Sequence, residues 1–238
     1  MILTAHQPVY LPWLGLFHKI ALADTFVSFN KVQYLTKDWN NRNKIKTANG
    51  VIWLSVPVHS KGHREKSINE IEINNNSPWG RKHWHSIKFA YSKSPFFTRY
   101  ADFFENLYMR EWHFLEDLND HILKYLLSEL KIKTRFVKAS EMDFQGTGSD
   151  LVLDMCVKMG ANFYIFGALG KDYAEVDKYK KANIKLHFQD YKHPQYPQLW
   201  GDFEPYLSII DLLFIAGPNS FDKIMENNVS QQELLNVI

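Results

Sequence analysis

Two histidines of this 238-residue chain stand in stiff, aromatic-rich stretches, where an imidazole can exchange a proton near neutrality. The first, His6, lies in Thr4-Ala5-His6-Gln7-Pro8-Val9-Tyr10-Leu11-Pro12-Trp13, between a short apolar run and a helical pattern. Pro8 and Pro12 fix two φ angles and remove two backbone donors, so little ordering entropy is lost when a ligand docks on the turn. Gln7 can bond sugar hydroxyls, Tyr10 and Trp13 offer flat faces to a sugar or base, and Lys19 supplies a cation for phosphate. The second histidine, His193, lies in Asp190-Tyr191-Lys192-His193-Pro194-Gln195-Tyr196-Pro197-Gln198. Its prolines hold the stretch extended, which spaces His193, Tyr196 and Gln198 as ligand-facing groups. His6 is the first candidate for the general base and His193 the second.

A third word, Asp38-Trp39-Asn40-Asn41-Arg42-Asn43-Lys44, surrounds one indole with amides and cations. Arg42 can grip a carboxylate or phosphate with two parallel N–H bonds, while Asn40, Asn41 and Asn43 suit sugar hydroxyls. The same composition is ordinary in a solvated loop. Gly167-x-x-Gly170-Lys171-x-Tyr173 is neither a P-loop nor a G-x-G-x-x-G fingerprint, and reads as a tight turn on the rim of the same pocket. His83 and His85 would point roughly 200° apart on a helix, no H-E-x-x-H is present, and the cysteine stands alone, so no protein-built metal site is expected. A divalent cation carried in by a nucleotide is compatible with this, and no cofactor can be named. Gly-x-Ser-x-Gly is absent as well.

The elements that must position these groups follow from hydrophobic period. Met1 to Ala5 reads as a strand, Leu14 to Ala23 as a helix and Thr25 to Phe29 as a strand, a βαβ unit with His6 at its first carboxyl end. Lys37 to Asn49 reads as a loop, and Val51 to Val58 and Ile68 to Ile73 as strands. Ser77 and Pro78 are expected at the N-cap and first position of a helix to Tyr91, with further helices from Phe96 to Met109 and Trp112 to Leu130. Arg135 to Ala139, Asn162 to Phe166 and Ile184 to Phe188 read as strands, and Gly148 to Met159 and Ser208 to Ala216 as helices, with a polar tail after them. The expected class is therefore α/β: a Rossmann-like, mostly parallel sheet flanked by helices. It forms one domain over 1–238, divided into a first βαβ half (1–75), a mainly helical insertion (76–132) and a second α/β half (133–238).

Composition narrows the function. With 28 basic and 26 acidic residues the net charge is only +2, too weak a field for non-specific nucleic-acid binding, so no nucleic-acid partner is expected. No apolar run approaches the roughly 20 residues needed to cross a bilayer. The single cysteine, Cys156, falls on an apolar helix face and excludes an internal disulfide framework, which fits a cytoplasmic location. Aromatics make up 15% of the chain, and that excess leans toward a cleft with stacking surfaces, although most rings in any protein are packing residues.

The ordered blocks carry a resemblance. His6-Gln7-Pro8-x-Tyr10-x-Pro12-Trp13-x-Gly15-x-x-x-Lys19, Asp24-x-Phe26-Val27, Val32-Gln33-Tyr34, Asn41-Arg42-Asn43 and Trp53-Leu54-x-Val56-Pro57-Val58 resemble the WbqC-like family of bacterial proteins. Lys82-His83-Trp84-x-Ser86-Ile87, Tyr164-x-x-Gly167, Tyr173, His193-Pro194-x-Tyr196-x-Gln198 and Leu207 to Phe214 continue it through nearly the whole chain. The resemblance adds Gln33 and Lys82 to the candidate binding residues. It departs from the family at Asn30, where an aspartate is usual, and at Lys31. It implies a role in O-antigen (lipopolysaccharide) or other surface-glycan biosynthesis: a transferase acting on a nucleotide-sugar, moving an acyl or aminoacyl group to an amino-sugar. An acyl carrier protein is then a conceivable partner beside the small-molecule substrate. Alternatives are a nucleotidyltransferase-like or adenylate-forming enzyme and a non-catalytic carbohydrate-binding or scaffold protein.

Overall fold

In the computed structural model residues 1–59 and 61–236 are described, His63 by its backbone alone. The strands in chain order are β1 (Ile2–His6), β2 (Thr25–Ser28), β3 (Arg42–Thr47), β4 (Gly50–Ser55), β5 (Arg135–Lys138), β6 (Phe163–Phe166) and β7 (Lys185–Phe188). Five of them form one parallel sheet in the order β5-β2-β1-β6-β7, while β3 and β4 pair separately as an antiparallel hairpin. The helices are α1 (Leu14–Ala21), α2 (Trp79–Tyr91), α3 (Phe97–Met109), α4 (Leu115–Glu129), α5 (Gly148–Lys158), α6 (Val176–Lys181), α7 (Ile209–Ala216), α8 (Ser220–Met225) and α9 (Gln231–Asn236). This is the expected Rossmann-like α/β architecture, with α2 to α4 inserted between the hairpin and β5.

Alternation along β1 divides the core. Leu3 and Ala5 face a cluster with Val152, Met155 and Cys156 of α5 and Tyr179 of α6. Ile2 joins Ile165 and Leu22 on the opposite face, the one covered by α1. His6 follows the parity of Ile2 and so points to the α1 face. Because β2 lies on one side of β1 and β6 on the other, the strand order reverses between β1 and β6. The crevice outside the carboxyl ends of those two strands is the place where such sheets hold ligands.

Three local expectations are corrected. The polar stretch Lys37 to Asn49 is not all loop, because Arg42–Thr47 is β3: its alternation buries Asn43 and Ile45 and turns Arg42 and Lys44 outward. Lysine and asparagine hid the period of 2, since long cations can line the solvent face of a hairpin. Ile68 to Ile73 is not a strand but a 3₁₀ turn at Ile68–Glu70, started by Ser67, whose backbone N–H donates to Glu70 Oε2 at 2.9 Å. Pro78 takes the N-cap position expected for Ser77, and α2 begins at Trp79. The polar tail also contains α8 and α9.

The insertion is locked to the first turn by a buried relay. The Tyr10 hydroxyl lies 2.8 Å from His83 Nδ1 and also bonds the Tyr108 hydroxyl, while His83 bonds the Ser55 backbone on its other side. Burial lowers His83 to about 4, so the folded relay keeps it neutral. Below pH 6.5 the unfolded chain takes a proton that the folded one refuses, so stability falls from that pH down to about 4. The expected loss is on the order of 3 kcal/mol from this residue. Denaturant titrations across this range test it: His83→Gln, which accepts the Tyr10 bond without titrating, makes that part of the curve shallower by this amount.

Candidate functional site

The turn from β1 to α1 is braced by the hairpin. Leu11, fully buried, has φ 45°, a left-handed conformation that a leucine adopts only under constraint. The constraint is Asn43 on β3, whose Nδ2 donates to Leu11 O at 2.6 Å and Tyr10 O at 3.3 Å. Next to it, Asn40 Nδ2 donates to Pro8 O at 2.8 Å and lies 3.4 Å from Gln7 Oε1, and Tyr10 N–H donates to Trp39 O at 3.1 Å. Asn119 of α4 in turn donates to Asn40 O at 2.9 Å. The amides read as sugar ligands therefore serve first as a clamp on the backbone. Their carbonyl ends are different: Asn40 Oδ1 and Asn119 Oδ1 are buried acceptors with no partner.

At the carboxyl end of β1 the clamp presents His6. Its Nδ1 lies 2.8 Å from Gln7 O, which makes Nδ1–H the donor and leaves the Nε2 lone pair free among the described residues. Desolvation and the neighbouring Lys19 charge lower His6 to about 4, against the opposing pull of the Gln7 carbonyl. Lys19 reaches up from α1 and donates to Ala5 O at 2.9 Å. It is 4% exposed, it pairs with no carboxylate among the described residues, and burial lowers it to about 7. A Cβ on Gly167, just beyond β6, would lie 3.9 Å from Lys19 Nζ. The switch-point crevice thus brings together His6, Lys19 and Gly167, a neutral imidazole beside a cation without a counter-ion.

The rest of the rim is polar. Phe29 N–H donates to His6 O at 2.8 Å, which sets the exit of β2 beside the site. There Asn30 donates to Glu116 Oε1 at 2.8 Å and Ser140 Oγ at 2.7 Å, and takes a bond from Ser140 N–H at 2.9 Å. Lys138 at the end of β5 bridges Glu116 at 2.7 Å and Asp120 at 2.9 Å, and hydrogen bonds and charge from both carboxylates raise its pKa in spite of burial. The α4 residues Glu116, Asn119 and Asp120 are missing from the sequence-based candidates. Their only sequence signal is polarity at buried positions of an amphipathic helix, which became visible once α4 was docked on the rim.

Several candidates lie elsewhere. Tyr10 is fully buried in the relay and offers no face to a ligand. Trp13 folds over Gly15, where a Cβ would meet its ring at 2.2 Å, and packs on Tyr191 and Tyr206. His193 bonds Pro194 O through Nδ1 and accepts Tyr206 N–H at Nε2 at 3.2 Å, so both ring nitrogens are engaged in shaping its own loop. Gln198 bonds Glu204 N and O and Lys46, and the buried Tyr196 faces the Asp211 carboxylate, to which Tyr91 donates at 2.9 Å. Gly170 packs against Phe166, and half-exposed Tyr173 meets the same ring at 5.7 Å, on the face of the sheet opposite His6. Asn41 donates to Val56 O, Arg42 to Lys37 O, and exposed Gln33 to Arg64 O, while Lys82 stands on the exposed side of α2. Among the described residues no group of three His, Cys, Asp or Glu side chains gathers as a metal requires, and no helix is long and apolar enough to cross a membrane.

The sequence model of the WbqC-like protein family matches residues 7–223, which include the β1–α1 turn, the hairpin clamp and α7. The chain belongs to the WbqC-like family. A protein of Mycobacterium tuberculosis, described only as uncharacterized, is 34% identical over 218 residues, 91% of this chain and 94% of that protein. No solved structure matches the chain. Membership of the WbqC-like family is consistent with a role associated with glycan biosynthesis.

Two substitutions check this construction. Asn43→Ala leaves the Leu11 carbonyl without its donor, and is expected to lower stability by about 1–3 kcal/mol in denaturant titration. Asn30→Asp sets a second carboxylate against Glu116, so the variant should lose stability at neutral pH and recover part of it as the solution is acidified and one carboxyl takes a proton.

Proposed function

We propose that this protein is a cytoplasmic transferase of surface-glycan (O-antigen) assembly that acts on a nucleotide-activated sugar, placing an acyl or aminoacyl group on its amino nitrogen. The observation that carries the reading is the Lys19 ammonium, buried without a carboxylate at the β1/β6 crevice and set beside a neutral His6. A buried cation lacking a counter-ion is stabilised by an anionic ligand, and the phosphates of a sugar nucleotide supply one. The small Gly167 leaves room for that group. His6 Nε2 then takes the proton as the sugar amine attacks the acyl carbonyl: the C–N bond forms, the bond from the acyl carbon to its carrier breaks, and the carrier leaves. The acyl donor on this reading is a small thioester or an acyl carrier protein.

Calorimetry with sugar nucleotides tests the reading first. Lys19→Met should abolish binding while raising stability at neutral pH and below, because the folded pKa of about 7 lies under the usual 10.5 and the buried charge opposes folding until it is lost at higher pH. Unchanged affinity in that variant overturns the proposal. In turnover assays kcat/KM should rise through about pH 4 as His6 deprotonates and fall through about pH 7 as Lys19 loses its charge. His6→Asn should keep affinity and lower turnover by roughly 10²–10⁴-fold.

A further inference from the structure

The outer face of the β3–β4 hairpin carries groups that the β1–α1 clamp does not use. Strand alternation sends Asn43 and Ile45 inward, and leaves Arg42, Lys44 and Trp53 on the other side, with Lys44 opposite Trp53 in the register. Trp53 is 45% exposed and Trp39 is 43% exposed, with ring centroids 5.3 Å apart and planes at 39°. The Arg42 guanidinium lies 4.4 Å from the Trp53 ring centre, and Lys44 Nζ lies 6.0 Å from it. Neither cation pairs with a carboxylate among the described residues, and Arg42 Nε is buried without an acceptor. The nearby carboxylate of Asp38 is engaged with Trp39 N–H at 2.7 Å.

Leaving two large adjacent indoles half in water keeps apolar surface hydrated, a cost that an occupant covering both of them relieves. Uncompensated cations beside them select an anionic occupant. The two planes are tilted, so they offer two successive faces rather than one flat platform, which suits two pyranose rings of a bent chain better than a single base. Trp39 also joins the platform to the site: its carbonyl takes the Tyr10 N–H, and the next residue, Asn40, holds Pro8 and Gln7.

We propose that Trp39, Trp53, Arg42 and Lys44 form a binding site for an acidic glycan, two indole faces stacking on successive sugar rings while the cations meet their carboxylate or phosphate groups. This rests on the glycan-directed reading above and adds to it a subsite for a glycan chain, separate from the crevice that takes the sugar nucleotide. The test is tryptophan fluorescence titration with oligogalacturonate and, in parallel, with an uncharged maltooligosaccharide. Wild-type protein should bind the acidic chain and show little response to the neutral one. Trp53→Ala and Trp39→Ala should each weaken binding by roughly tenfold or more, and Lys44→Gln should weaken it and reduce its dependence on salt. Sugar-nucleotide affinity, measured on Trp53→Ala and Lys44→Gln, should stay at the wild-type value, whereas Lys19→Met should lose nucleotide and keep the acidic glycan. Equal binding of both oligosaccharides, or binding that survives both tryptophan variants, overturns the subsite and leaves the nucleotide reading standing. A wild-type dimer in sedimentation that dissociates in Trp53→Ala would also overturn it, by assigning the face to a second copy of the chain.

Discussion

The left-handed Leu11 and the amide that holds it form the constraint on which the rest depends. A leucine at φ 45° is stable only when its surroundings determine it, and Asn43 does so from a separate strand through two backbone carbonyls. The turn so held places Tyr10 in the core and Trp13 at the N-cap of α1. The hairpin is thus less an appendage than the jig for the β1–α1 turn. Pro12 O and Lys44 O extend the same fixture by accepting the Ile209 and Ser208 N–H groups, which fixes α7 against it.

Within that fixture, electrostatics rather than shape singles out the crevice. The rim contains two kinds of cation. Lys138 is matched by Glu116 and Asp120 and its charge is held firmly, while Lys19, on the other side of β1, has a carbonyl and nothing anionic. A matched cation stabilises the fold, whereas an unmatched one is maintained against desolvation and becomes comfortable only when a ligand arrives. Asn30 fits this division. As an amide it can donate to Glu116 and Ser140 together, so the network closes without a further cation, which an aspartate in the same place would require.

Aromatic content, high throughout, turned out to serve three separate ends. Tyr10, Trp79 and Tyr108 gather round His83 as packing with one polar relay, Trp13 with Tyr191 and Tyr206 closes the segment that contains His193, and Trp39 with Trp53 remains in solvent. Nothing in the sequence distinguishes these groups, since a ring in a half-polar stretch looks the same whether its plane is covered by a neighbouring helix or by water.

The sequence by itself determined the parallel α/β class, the βαβ start, the three inserted helices and the placing of His6 at a strand end, because these follow from local period and from proline and glycine chemistry. It also set the Gly167 turn on the same rim as the turn that leads to Lys19. Only the tertiary structure brought Gly167 up to the Lys19 ammonium itself, because adjacency of β1 and β6 is a matter of strand order, which no local pattern encodes. The same holds for the amides of Asn40 and Asn43, whose composition reads as a sugar-binding loop and whose bonds run to the backbone of a turn some thirty residues away. His193 reads as a base, and its two nitrogens were committed by contacts within its own folded loop. A polar side chain's type fixes what it can bond, but the long-range packing decides which partner reaches it first, and therefore which groups are left for chemistry.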